Sequence, residues 1–164
     1  MDAQQIRSAL ESDVLDAGLI HFGHADYIRD YLMYFYHSTY DANVIPHWVD
    51  RYRFVNCVLA ETATSLPPDT WTRSLGDELI GDPDALEPVN GWVWGTRFGD
   101  MYPGATMIER SDDAERWTEA LGIPFYEVVV EAPPIRVRLV FSDLVVERAE
   151  PGESPFTVER PLGG

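Results

Sequence analysis

The clearest pattern along the chain lies at residues 135–141. Ile135, Val137, Leu139 and Phe141 alternate with Arg136 and Arg138, a period of two that predicts a strand with one buried face. The run from Phe125 to Glu131 is also rich in β-branched residues, and Ala132-Pro133-Pro134 separates the two. A hairpin of Phe125–Glu131 against Ile135–Arg148 follows. Its register places Glu131 opposite or near Arg136 as a cross-strand charge pair. Upstream, Ser111-Asp112-Asp113-Ala114 opens a helix: a serine accepts from free backbone N–H groups, and acids face the positive end of the dipole. Ala114, Trp117 and Leu121 form its apolar stripe, Gly122 fits the position just past its end, and Pro124 blocks continuation.

The first third is less regular. Asp2 caps a predicted helix in which Ile6, Leu10 and Val14 recur every four residues, and Gly18 ends or bends it. The aromatic run Tyr27 to Tyr36 predicts a strand with Ile28, Leu32, Tyr34 and Tyr36 on even positions; a helix with Tyr27, Tyr31, Leu32 and Phe35 on one side is the alternative. Tyr40-Asp41-Ala42-Asn43 reads as a turn. Trp48 to Leu59 predicts a second strand, with Arg51 and Arg53 on one face and Tyr52, Phe54 and Val58 on the other. A helix is expected after Leu66-Pro67-Pro68-Asp69, with Trp71, Leu75 and Leu79 at four-residue spacing. Residues 81–91 read as an exposed loop. Trp92-Val93-Trp94 reads as a short strand, and the stretch holding Gly95, Gly99, Pro103 and Gly104 as loop. Neighbouring strands without alternating helices point to an α+β fold, a mostly antiparallel sheet with about three short helices packed on it. The expected organisation is one domain over 1–148 and a loosely held tail, rich in Pro, Gly and Glu, over 149–164.

Charge narrows the function classes. The 164 residues carry 28 acids against 12 basic residues, a formal net charge of −16, and every basic residue is arginine. No basic patch is present, so nucleic acid and anionic membrane surfaces are disfavoured as partners, whereas a basic protein is attracted. No run approaches a membrane span, and the start lacks a signal-peptide pattern, so a cytoplasmic protein is expected. The single cysteine, Cys57, lies in an apolar run and reads as a buried thiol.

Candidate chemistry is sparse. His21, His24, His37 and His47 match no metal-ligand spacing, and neither a metal nor another cofactor is expected. No nucleophile elbow, phosphate loop or dinucleotide motif occurs, which points away from an enzyme. Asp77, Glu78, Asp82, Asp84 and Glu87 place five carboxylates in eleven residues, without the order a calcium loop needs. Trp92, Trp94, Arg97 and Tyr102 combine aromatics and an arginine with flexible glycines, the make-up of interface anchors.

Tyr27-Ile28-Arg29-Asp30-Tyr31, Arg51-Tyr52-Arg53-Phe54, Gly91-Trp92-Val93-Trp94-Gly95 with Tyr102-Pro103-Gly104, and Leu139-Val140-Phe141-Ser142-Asp143-Leu144 together resemble the YxiG-like family of small actinobacterial proteins, over roughly residues 20 to 148. The resemblance implies a setting among bacterial toxin and immunity loci and brings no catalytic role to any residue. The leading expectation is a non-enzymatic interaction module, such as an immunity or antitoxin-like protein. In it Asp77, Glu78, Asp82, Asp84 and Glu87 steer a basic partner while Trp92, Trp94, Arg97 and Tyr102 anchor it. One alternative is a small-molecule binder or enzyme with an aromatic pocket, using Asp26, Arg29, Asp30 and the histidines. Another is a homodimeric structural protein.

Overall fold

The alternation at residues 135–141 buries one face: Val137, Leu139 and Phe141 are fully buried, while Arg136 is exposed. The computed structural model describes residues 1–25, 29–37, 48–64, 68, 99–150 and 153. In chain order they form α1 (Ala3–Glu11), β1 (Gly18–His24), β2 (Tyr31–His37), β3 (Trp48–Val55), β4 (Leu59–Thr64), β5 (Gly99–Asp100), β6 (Gly104–Ile108), α2 (Asp112–Leu121), β7 (Tyr126–Ala132), β8 (Ile135–Phe141) and β9 (Asp143–Arg148). The fold is α+β and antiparallel, with two sheets in place of the single one expected. One runs β5-β1-β2-β3-β9 and the other β4-β8-β7-β6.

Met33, Phe35, Tyr52 and Phe54 of the first sheet share one core with Val128, Val130, Val137, Leu139 and Phe141 of the second. Odd positions of β2 therefore face inward, and Tyr34 and Tyr36 face out. Helix α1 carries a capping box in which Asp2 and Gln5 exchange bonds. It bridges the sheets: Tyr52 Oη donates to Ala9 O at 3.3 Å, and Met107 N–H donates to Glu11 Oε1 at 3.0 Å. It stops at Glu11, earlier than the four-residue spacing predicts, and Val14 reaches the core from beyond its end. Helix α2 covers the outer face of the second sheet, where Ala114 packs with Phe125, Val140 and Trp117. Ser111 caps it, and Gly122 ends it with φ 68°. Leu121, expected in its buried stripe, is 54 % exposed because the stripe ends at Trp117. The third expected helix, after Pro68, lies outside the described residues. Among the described residues no helix is long and apolar enough to cross a membrane.

The expected strand Ile135 to Arg148 proves to be two, broken at Ser142. The expected strand Trp48 to Leu59 ends at Val55, before Asn56, and a further strand, β4, starts at Leu59 and runs on to Thr64. The two breaks lie side by side, so β3–β4 and β8–β9 form one bent ribbon, β3 on β9 in the first sheet and β4 on β8 in the second. Asn56 sits at φ 49°, a left-handed conformation that asparagine tolerates. Its Nδ2 donates to Ser142 Oγ at 2.8 Å, and Ser142 N–H donates to Val55 O at 2.9 Å. The change of sheet explains why Val58 leaves the face of Tyr52 and Phe54 and packs beside α2 instead. Three more strands were not expected, β1, β5 and β6; the last two fall in or directly after the stretch from Gly95 to Gly104 that reads as loop. The Glu131–Arg136 pair is formed, opposite in register and 3.6 Å apart.

Cys57 is buried at the same corner, and its Sγ donates to Leu59 O at 3.1 Å. Burial pushes the thiol up to about 12. At neutral pH the native protein is expected to resist a disulfide-exchange reagent and to react only once unfolded. Rapid stoichiometric labelling of native protein would contradict this burial.

Candidate functional site

The outer face of the first sheet presents a row that crosses four strands. His21 on β1 pairs in register with Tyr34 on β2, Tyr34 with Arg51 on β3, and Arg51 with Glu147 on β9. Side chains opposite one another on one face are close enough to interact directly. Arg51 Nη2 meets Glu147 Oε2 at 2.6 Å. Beyond β9 the chain turns tightly: Glu153 N–H donates to Glu150 O at 3.0 Å, and Glu150 N–H donates to Glu153 Oε2 at 3.2 Å. The turn brings the Glu153 carboxylate onto the row, where it accepts from Tyr34 Oη at 3.0 Å and pairs with Arg51 Nη1. The second row, Tyr36 and Val49, lies beside it.

These residues surround a cavity of about 540 Å³ lined by Ile20, His21, Tyr34, Tyr36, Trp48, Val49, Arg148, Ala149, Glu150 and Glu153, a volume in the range of small-molecule sites. A second cluster lies at the opposite parity of the same strands, that of Phe35 and Tyr52, where His37 pairs with Trp48 and Asp50 with Arg148. Trp48 lies parallel to His37, ring centres 5.2 Å apart, and the Arg148 guanidinium stands 5.0 Å over the Trp48 ring. Asp50 ties this cluster together, accepting from Trp48 Nε1 at 3.0 Å and from Arg148 Nε at 2.9 Å. His37 Nε2 is 3.3 Å from Asp50 Oδ2 but makes no aligned hydrogen bond. Burial lowers the His37 pKa from its ordinary 6.5, outweighing the pull of Asp50. Burial also raises Tyr34, with Glu153 adding to it, so the phenol stays a donor at neutral pH. Burial opposes ionisation of Glu153, yet the Glu150 amide, Tyr34 and Arg51 together hold its carboxyl below the usual range.

The expected site residues fall differently. Asp77, Glu78, Asp82, Asp84, Glu87, Trp92, Trp94, Arg97 and Asp26 lie outside the described residues, as does His47. Tyr102 is 72 % exposed, open to a partner. Arg29 and Asp30 hold the corner between the sheets. Asp30 is buried, accepts from Asn56 N–H at 3.1 Å and Arg29 Nε at 3.2 Å, and lies 3.6 Å from Arg53. Burial raises its pKa, but those donors and charges outweigh burial and keep it ionised. His24 stands edge-on to Tyr31. Among the described residues no cluster of three or more His, Cys, Asp or Glu is placed to hold a metal ion.

The sequence-only reading missed Trp48, Arg148, Glu150 and Glu153. The available signal was the shared outward parity of Tyr34, Tyr36 and Arg51, which marks an aromatic and charged sheet face. A family model described as YxiG-like protein matches residues 2–159. The chain belongs to the YxiG-like family. No curated protein matches it. A crystal structure of an uncharacterized protein from Neisseria gonorrhoeae is similar to this YxiG-like protein with a TM-score of 0.40 and 10% identity, covering 81% of this chain and 91% of the other.

Proposed function

We propose that this YxiG-like chain is a cytoplasmic, non-enzymatic binding protein that meets a basic protein partner, in the manner of an immunity protein. The observation that carries this reading is how the fold uses its positive charge. Eight of the nine arginines among the described residues, all but Arg110, form ion pairs with carboxylates of the same chain. With these eight arginines paired internally, a surplus of acids is left for solvent, and that field accelerates encounter with a basic surface. One acidic groove supports this: Glu109, Glu115, Glu119 and Glu127 rim a space of about 460 Å³ floored by Ile108, Phe125 and Tyr126.

In this reading Asp77, Glu78, Asp82, Asp84 and Glu87 steer, and Trp92, Trp94, Arg97 and Tyr102 anchor. The test is capture of partners from host lysate on the tagged chain at low and high salt. A single basic protein retained at low salt and lost at high salt is expected. Neutralising the five steering acids is expected to weaken its capture and flatten the salt dependence. No specific partner at either salt, or unchanged capture by the neutralised variant, overturns the reading. A second reading, a small-molecule binder, is favoured by the cavity on the first sheet.

A further inference from the structure

We infer that the groove beside α2 is where the basic partner docks, and that it takes an apolar segment of that partner carrying lysine or arginine side chains; the inference rests on the basic-partner reading and gives it a place. The groove runs between α2, the end of β6 and the start of β7. Its floor is apolar, made by Ile108, Ala114, Phe125 and Tyr126. Phe125 N–H donates to Thr118 Oγ1 at 2.9 Å, which fastens the helix wall to the strand wall. The link between these walls, residues 121–124, is exposed throughout. It carries two large apolar side chains, Leu121 at 54% and Ile123 at 41% exposure. An apolar floor continued by exposed apolar side chains is a surface that a partner covers.

Charge selects the occupant. Glu109, Glu115 and Glu119 stand exposed on the rim, and among the described residues no arginine lines the groove. Glu109 has only Arg7, at 3.9 Å. Glu115 and Glu119 lie one turn apart on α2, and among the described residues neither has a cationic partner. The arginine of that helix, Arg116, meets Asp113 at 2.7 Å instead. Two like charges four residues apart weaken a helix. Glu119 also places a negative charge in the last turn, where the dipole favours a positive one. The fold offsets neither cost, whereas a cation arriving from outside offsets both. A local rule broken with no internal gain marks a functional surface. A second copy of the chain brings the same acids at a net charge of −16 and is repelled.

Nuclear magnetic resonance titration of the isotope-labelled full chain with three peptide amides tests the groove: acetyl-Leu-Lys-Leu-Lys, acetyl-Leu-Glu-Leu-Glu and acetyl-Gly-Lys-Gly-Lys. The first is expected to bind in about the millimolar range and to move backbone amides within 108–127. The second is expected not to bind, and the third to bind at least about fivefold more weakly. The double change Glu115→Gln with Glu119→Gln is expected to weaken the first peptide about threefold to tenfold. It is also expected to raise the melting temperature by about 1–2 °C, because the like-charge pair is gone. Acids kept for the sake of the fold would lower it instead. Leu121→Ser, at a half-exposed position, is expected to weaken the first peptide about twofold to threefold and leave the melting temperature unchanged. Equal binding of acetyl-Leu-Glu-Leu-Glu, no binding of acetyl-Leu-Lys-Leu-Lys, unchanged binding by the double variant, or its earlier melting each overturns the proposal. Amide shifts confined to residues 77–98 overturn the groove and leave the basic-partner reading standing. Failed capture from lysate removes that reading, while the peptides still decide the groove.

Discussion

Replacing Phe54 with alanine is expected to lower the unfolding free energy by about 4 kcal/mol, the upper range for a buried aromatic cut back to a methyl group. Phe54 is fully buried on β3 and meets Phe141 of β8 edge to face, ring centres 4.9 Å apart. The two residues belong to different sheets, so the contact fastens the sheets to each other. Phe141 also packs against Tyr126 on β7, so the space left by Phe54 cannot close without moving strands of both layers. Chemical denaturation should show a lower midpoint with an unchanged denaturant slope. A loss below about 1 kcal/mol would mean that the core collapses around the gap, and that the pair does not hold the sheets together.

Arg138→Met is expected to destabilise by about 2–3 kcal/mol at neutral pH, below the usual range for breaking a buried pair because Arg138 is partly exposed. Arg138 lies under α2. It donates from Nε to Glu127 Oε1 at 2.7 Å, pairs with Glu61 at 3.0 Å, and reaches Asp113 at the first turn of α2 at 2.5 Å. Glu127 is buried and also accepts a hydrogen bond from Ser111, the residue that caps α2. Burial raises the Glu127 pKa, but Arg138 and Ser111 outweigh burial and hold it below its ordinary 4.5. In the wild type this carboxylate therefore adds stability above about pH 4.5, and the contribution is lost as pH falls through the lower folded-state value.

Without Arg138, burial and the nearby Asp113 charge outweigh the Ser111 hydrogen bond that remains, and the folded-state pKa moves above 4.5. The sign then reverses: the variant recovers stability as pH falls from neutrality toward 4.5. Melting temperatures from pH 7 to pH 4 should converge for the two proteins. A constant gap across that range would show that Arg138 acts through packing alone.

The legible parts of this fold are those whose bonds are local. The hairpin β7–β8 and helix α2 announce themselves through alternation, a serine cap and a terminal glycine, each working within a few residues. β1 does not. A bulge between Leu19 and His21 breaks its period of two, and its glycines and histidines carry little strand preference. β6 is disguised by Gly104, Ala105 and Met107, which fit a strand only because the core accepts small and flexible side chains there. The breaks at Asn56 and Ser142 fall within runs that stay apolar, since each strand leaves one core-facing sheet and enters another. The cavity was hidden for a related reason. Trp48, Arg148 and Glu153 come together only through the pairing of β3 with β9 and the turn beyond it, and no short-range pattern encodes that pairing. What could be read was one sheet face, with Tyr34, Tyr36, Arg51 and Arg53 pointing the same way.

The bent ribbon has a consequence for how the chain becomes folded. Asn56 and Ser142 are 86 residues apart, and every bond of β3 with β9 and of β4 with β8 spans a comparable length. Such non-local pairing slows folding, because a long loop must close before any contact rewards it. During synthesis the meander of β1, β2 and β3 leaves the ribosome early, yet the outer edge of β3 and the whole of β4 wait for the last strands to emerge. Over that interval the nascent chain carries two unpaired strand edges beside an aromatic core half, the kind of surface that chaperones hold and that aggregation begins on.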